Sequence, residues 1–216
     1  MKKTTQDEFD LLFAHYPSLY VCSDTVLAAF HLLYNSYYNK GLIMVCGNGG
    51  SAADAEHIVA ELMKGFKMNR PLRDDQRLLL KSKFPDDSDF FSENLQQAIP
   101  ALSLVSQTSL TTAFANDICS EMVFAQLVLG YGKPSDTLVG LSTTGNSRNV
   151  VNACKVAKAI GVSTIGFTGE EESLLSSVCD ITIRVPAREV YRIQELHLPV
   201  YHTLCAMLET EAFSIS

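Results

Sequence analysis

His57 and Glu61 stand four residues apart in a stretch, LIMVCGNGGSAADAEHIVAELMKGF (42–66), that also carries the glycine-rich turn Gly47-Asn48-Gly49-Gly50-Ser51. On a helix that spacing puts imidazole and carboxylate on one face, about 6 Å apart at their β-carbons. The pair suits a metal ion or a proton transfer, and it is also the spacing of an ordinary surface ion pair. The turn suits another task. Its glycines let the backbone approach an anion, the amides opening the next helix point toward it, and Ser51 adds a hydroxyl.

A second loop, Ser142-Thr143-Thr144-Gly145-Asn146-Ser147, offers four hydroxyls within six residues between an apolar run and a helical pattern. Ser51 and Ser147 could each be no more than a helix N-cap. Two such loops in one small domain nevertheless make a phosphate cup. The first loop also fits GxGxxA through Gly47, Gly49 and Ala52, but no acidic residue ends a second strand about 20 residues on, as ribose binding requires. The lysine of a nucleotide-triphosphate P-loop is missing too.

Further donors lie near the C-terminus, in RIQELHLPVYH (192–202). Gln194 and His202 are eight residues apart, about 12 Å along a straight helix. They meet at one small site only if the helix bends or two subunits contribute. Pro199, which lacks an amide and crowds the preceding turn, should kink that helix. His197, His15 and His31 read as structural, and Asp54 and Glu56 as solvated acids near a helix N-terminus.

These residues need elements to position them. Continuous apolar runs at 42–46, 101–105, 137–141, 163–167 and 181–185 suit strands buried on both faces of a parallel sheet. Helical patterns follow at 51–66, 108–130, 147–160, 172–177 and 189–211, an alternation that implies a doubly wound α/β fold with five strands. Residues 1–41 read as two helices: one around Gln6–His15, ending before Pro17, and one capped by Ser23 or Asp24 and stopped by Gly41. Residues 67–97 are charged, contain two prolines and are too long for an ordinary connection. They read as an inserted excursion with a short helix at 76–83, lying over a site, against a partner subunit, or as a mobile loop.

The 216 residues suit one domain, and 47% hydrophobic with 19% charged residues suits a soluble enzyme. A net charge of −7 argues against nucleic acid or an anionic membrane as partner. No apolar run approaches the length of a membrane span, and the N-terminus lacks a secretory pattern. The six cysteines have no paired spacing, which suggests buried free thiols in a reducing cytoplasm.

The set CGNGGSAADAEHIVAEL, AFANDI, LSTTGNSRNVV and RVP…RIQELHLPVYH resembles the sugar isomerase (SIS) domain family, and within it the phosphoheptose isomerases. The resemblance spans most of the chain to about residue 212, apart from the excursion. It implies that Ser51, Ser142, Thr143, Thr144 and Ser147, with Gly49 and Gly50, hold a sugar phosphate, and that Asn48, Asn116, Asp117 and Gln194 contact the sugar. It implies Glu61 as catalytic base, His202 as catalytic acid, and His57, Glu61, Gln194 and His202 as ligands of one zinc ion per subunit. It also implies a homotetramer with sites at subunit interfaces. The expected reaction is sedoheptulose 7-phosphate to D-glycero-D-manno-heptose 7-phosphate through an enediol(ate). The chain departs from the pattern at Tyr191, where an aspartate is common, at Gly65, where an arginine is common, and in the excursion, which compact members lack.

Two other functions compete. Some SIS homologues are scaffolds that bind a bacterial replication initiator, but they lack the acid and base that Glu61 and His202 retain here. Others are sugar-phosphate sensors joined to a DNA-binding module, for which this length and acidity leave no room.

Overall fold

The computed structural model describes residues 1–214. Five parallel strands, Ile43–Gly47 (β1), Ala101–Ser103 (β2), Thr137–Leu141 (β3), Ser163–Thr168 (β4) and Ile181–Arg184 (β5), form one sheet in the order β2-β1-β3-β4-β5. Every residue of β1 and β3 is buried, as continuous apolar runs between two helical layers require. Alternate side chains divide between the layers. Ile43 and Val45 pack with helices α2 (Ser23–Tyr38), α3 (Gly50–Met63) and α10 (Val190–Phe213). Met44 and Cys46 pack with α7 (Val123–Tyr131) and α8 (Arg148–Ala159). The six cysteines are free, and Cys22, Cys46, Cys154 and Cys205 are buried.

The N-terminal arm holds α1 (Lys3–His15), a 3-10 segment over Pro17–Cys22, and α2. Neither Ser23 nor Asp24 caps α2: its N-cap is Cys22, whose carbonyl accepts from Thr25 Oγ1 at 2.9 Å. Nor does Gly41 supply the left-handed turn that ends the helix. Lys40 does, at φ 59°, while the Gly41 amide returns to the Ser36 carbonyl at 2.8 Å.

The expected helix at 108–130 is interrupted. After α6 (Thr108–Phe114) come a π turn at Ala115–Cys119 and a 3-10 turn at Ser120–Met122, with α7 only afterward. Cys119 is extended, at φ −165° and ψ 118°. The break falls where Asn116, Asp117 and Ser120 offer the backbone competing polar partners. In contrast, α10 runs through Pro199 as one helix.

The excursion contains two helices, α4 (Asp74–Lys83) and an unanticipated α5 (Ser88–Asn94), while the short α9 (Leu174–Val178) joins β4 to β5. Its neck is closed by hydrogen bonds from Gly65 N to Gln96 Oε1 (2.6 Å), Gln97 N to the Arg70 carbonyl (2.8 Å) and Gln97 Nε2 to the Pro71 carbonyl (2.8 Å). Beneath it lies a fully buried ion pair, Arg70 Nε to Glu209 Oε1 at 2.7 Å. The other Arg70 nitrogens donate to the carbonyls of Leu62 (2.7 Å) and Glu61 (3.1 Å), satisfying the end of α3. Glu209 in turn accepts from the amides of Phe66, Lys67 and Met68.

Candidate functional site

The chain leaves β1 for β2 on one side and later returns to add β3 on the other, so the strand order reverses between β1 and β3. Open parallel sheets bind ligands at the carboxyl ends of such a pair. Both glycine- and hydroxyl-rich loops emerge there, since Gly47 of β1 is in register with Leu141 of β3. The Asn48 and Asn149 side-chain amides join them, each donating to the other at 2.9 Å. Ser51 and Ser142 are buried, Thr144 is exposed, and Ser142 Oγ donates to Ser147 Oγ at 3.0 Å. Gly145 has φ 66°, and a side chain there would strike Ser173. A Cβ at position 50 would stand 2.5 Å from Gln194 Nε2, so any larger residue there would displace the Gln194 carboxamide. The starts of α3 and α8 thus flank one crevice with backbone amides, hydroxyls and a carboxamide, a set suited to phosphate.

A second group forms further along α3. His57 Nε2 is 3.2 Å from Glu61 Oε1 and 3.4 Å from His202 Nε2, which comes from α10. Glu61 Oε2 also accepts from Lys64 Nζ at 3.1 Å. On its other side, His57 Nδ1 lies 3.1 Å from the Tyr201 hydroxyl, which donates to Asp54 Oδ1 at 3.1 Å. Burial, and then the nearby His57, hold the His202 imidazole below its ordinary pKa, against the opposing charge of Glu61. Burial raises the Asp54 carboxyl and is opposed by the Tyr201 bond and by His57. Burial, with the Asp54 charge, raises the Tyr201 phenol.

The two groups are well separated within one chain. Along α3, His57 stands six positions and Glu61 ten positions beyond Ser51, about 9 Å and 15 Å of helix. Helix α10 runs alongside in matching register, with Gln194 against Gly50 and His202 against His57. Gln194 therefore does not join His57, Glu61 and His202 in a single subunit, and Pro199 does not bend the helix enough to bring it there. Among the described residues no three His, Cys, Asp or Glu side chains converge as a ready metal cage. Instead, Glu61 and His202 each approach the same atom, His57 Nε2. The two contacts match the roughly 3.3–3.5 Å edge of a tetrahedron with zinc–ligand bonds of about 2.0–2.1 Å. The donor set fits zinc in chemistry and in those two edges.

The SIS domain family model matches residues 22–97 and 91–169, more than half of the chain, in two pieces that meet at the end of the excursion. This chain belongs to the SIS domain family. Phosphoheptose isomerase of Akkermansia muciniphila is 38% identical over 193 residues, covering 89% of this chain and 82% of its own. The Rhodospirillum rubrum phosphoheptose isomerase is 37% identical, covering 87% and 86%. The solved structure of phosphoheptose isomerase from Neisseria gonorrhoeae aligns with TM-score 0.72 at 29% identity over 91% of each chain. That from Francisella tularensis shares the fold, with TM-score 0.74 at 24% identity over the same shares. By these similarities the chain falls among the isomerase enzymes of the SIS family.

The remaining candidate residues and histidines are placed as follows. Asn116 and Asp117 lie exposed in the π turn, where the Asn116 amide donates to Asp117 Oδ1 at 2.8 Å. His15, expected to be structural, lines a cleft of about 220 Å³ beside His202 with Glu8, Tyr16, Phe66 and Lys67. His197 is fully buried, with Nε2 3.3 Å from the Thr168 carbonyl and Nδ1 unpartnered among the described residues. Asp54 is not a solvated acid but Tyr201's acceptor, and neither residue stood out by spacing. The one available signal was that Asp54, His57 and Glu61 fall at i, i+3 and i+7, a single stripe of α3. No helix among the described residues is long and apolar enough to cross a membrane.

Proposed function

We propose that the chain interconverts a ketose and an aldose phosphate, sedoheptulose 7-phosphate and D-glycero-D-manno-heptose 7-phosphate, at sites shared between subunits of a homotetramer. The observation that carries this reading is a crevice of amides and hydroxyls at the β1/β3 switch point together with the His57–Glu61–His202 group further along α3. A seven-carbon sugar phosphate spans about 10 Å from phosphorus to C1 at full extension, with about 1.3 Å gained per carbon–carbon bond. Sharing of the site between two copies is part of this proposal and rests on the family resemblance.

In this arrangement the hydroxyls of Ser51, Ser142, Thr143, Thr144 and Ser147 and the amides around Gly49 and Gly50 grip the phosphate. Asn48, Asn116, Asp117 and Gln194 orient the sugar hydroxyls. Glu61 removes a proton from C1 of the ketose and returns it to C2, and the enediol(ate) lies between the two transfers. His202, whose imidazole burial holds below its ordinary pKa, gives and takes the proton on the carbonyl and hydroxyl oxygens. His57, Glu61 and His202, with Gln194 of another copy, would hold a zinc ion, which polarises the carbonyl as a Lewis acid when bound. The free thiols suit a reducing cytoplasm.

A panel of five- to seven-carbon ketose phosphates, assayed with and without zinc, tests the reading. We expect turnover of the seven-carbon substrate and a loss of about 10²–10⁴-fold in kcat for Glu61→Gln, with sugar-phosphate binding intact. Wild-type protein that turns over none of them overturns the enzyme assignment. Activity untouched by chelation removes the metal alone.

A further inference from the structure

His57 is held from behind by a pair of residues that the reaction does not call on. Tyr201, at the buried contact between α10 and α3, places its hydroxyl 3.1 Å from Asp54 Oδ1 and 3.1 Å from His57 Nδ1. A phenol has one proton, and a carboxylate can only accept. The Tyr201 proton therefore goes to Asp54, and the phenol oxygen is left to accept from His57. That requires the hydrogen on Nδ1. A neutral imidazole protonated at Nδ1 carries its lone pair on Nε2. This is the atom 3.2 Å from Glu61 Oε1 and 3.4 Å from His202 Nε2.

We propose that Asp54 and Tyr201 are positioning residues that lock His57 in its Nδ1–H tautomer and aim the Nε2 lone pair between Glu61 and His202. The consequence is chemical. With no proton on Nε2, that atom and the Glu61 carboxylate are two electron-pair donors facing each other at 3.2 Å, a contact that is favourable only with a cation or a proton between them. The hydrogen bonds behind the ring thus make its front a ligand, as partners behind metal-binding histidines do elsewhere. Asp54 lies one helical turn before His57, and Tyr201 is locked by packing with Ile58, Leu62 and Leu204. The ring is held by two elements at once. Use of this geometry in catalysis rests on the isomerase reading above; the tautomer itself does not.

The test uses full-length, metal-free, 15N-labelled protein at a pH where the ring is neutral. Imidazole nitrogen shifts report which nitrogen is protonated, and the His57 signals are those lost in His57→Gln. Wild-type protein is expected to show Nδ1–H. Tyr201→Phe keeps the ring packing and removes both bonds; Asp54→Ala frees the phenol proton to point at Nδ1. Both should shift His57 toward Nε2–H and raise the dissociation constant for zinc, added alone, by about 10–100-fold. A wild-type ring already protonated on Nε2, or variants that keep Nδ1–H or bind zinc as tightly as wild type, overturns the proposal. Because no substrate enters the measurement, its failure is separate from any failure of the isomerase assignment.

Discussion

His202 meets His57 across the contact between α10 and α3, Nε2 to Nε2 at 3.4 Å. Eight residues earlier on the same helix, Gln194 rests against Gly50 instead. The crevice at the start of α3 and the His57–Glu61–His202 group further along are thus held on the same two helices.

The proposed sharing of sites between subunits predicts complementation. Glu61→Gln and Ser142→Ala subunits, each slow alone when substrate is held well below the wild-type KM, should regain part of wild-type turnover when unfolded together and reassembled. Activity of the mixture no greater than the sum of the separate variants would show that each subunit works by itself.

The phosphate loop should act mainly on binding. Ser142→Ala removes the hydroxyl bonded to Ser147 Oγ at 3.0 Å and one donor to the phosphate. An expected loss of about 1.5–3 kcal/mol for a hydrogen bond to a charged group corresponds to a rise in KM of about 10- to 150-fold. Steady-state kinetics check this, and a fall in kcat with KM unchanged would place the hydroxyl elsewhere in the reaction.

His197 should make the fold acid-sensitive. Burial pushes its imidazole down to about 4 from an ordinary 6.5, so the unfolded chain takes up a proton that the folded chain refuses. The penalty is absent above pH 6.5. It grows as pH falls through the window from 6.5 to 4, by about 1.4 kcal/mol per pH unit and about 3 kcal/mol in all. Urea titrations at pH 7 and pH 4.5 should show a smaller loss of stability on acidification in His197→Met than in wild type.

The Arg70–Glu209 pair should matter more broken than replaced. Arg70→Met or Glu209→Met leaves the partner's charge buried and is expected to cost about 3–5 kcal/mol. The double variant Arg70→Met with Glu209→Met should cost less than the sum of the single changes, measured by denaturant unfolding.

Residues whose placement depends on near neighbours are legible in the sequence. The continuous apolar runs located all five strands, because a strand covered on both faces has no polar side to interrupt it. Ser51 and Ser142–Ser147 were legible because their loops follow those strands directly. His57 and Glu61 announced themselves by helical spacing. Tyr201 and Asp54 did not, since their bond joins positions 147 residues apart. Arg70 and Glu209, 139 apart, were hidden for the same reason. The π turn at Asn116 and Asp117 was missed because the flanking apolar pattern continues at helical spacing while the backbone departs from it.

The closed neck of the excursion has a consequence for how such a protein can change. Residues 65–71 and 96–97 are bonded to one another, and the Ile99 amide returns to the Leu62 carbonyl at 2.9 Å. The polypeptide comes back to the place it left, and Arg70 secures the end of α3 whatever lies between. Doubling the length of such a loop costs only about 0.6 kcal/mol in closure entropy. This makes the segment a socket in which evolution can exchange, enlarge or discard a module without disturbing the carboxylate of Glu61 one turn away.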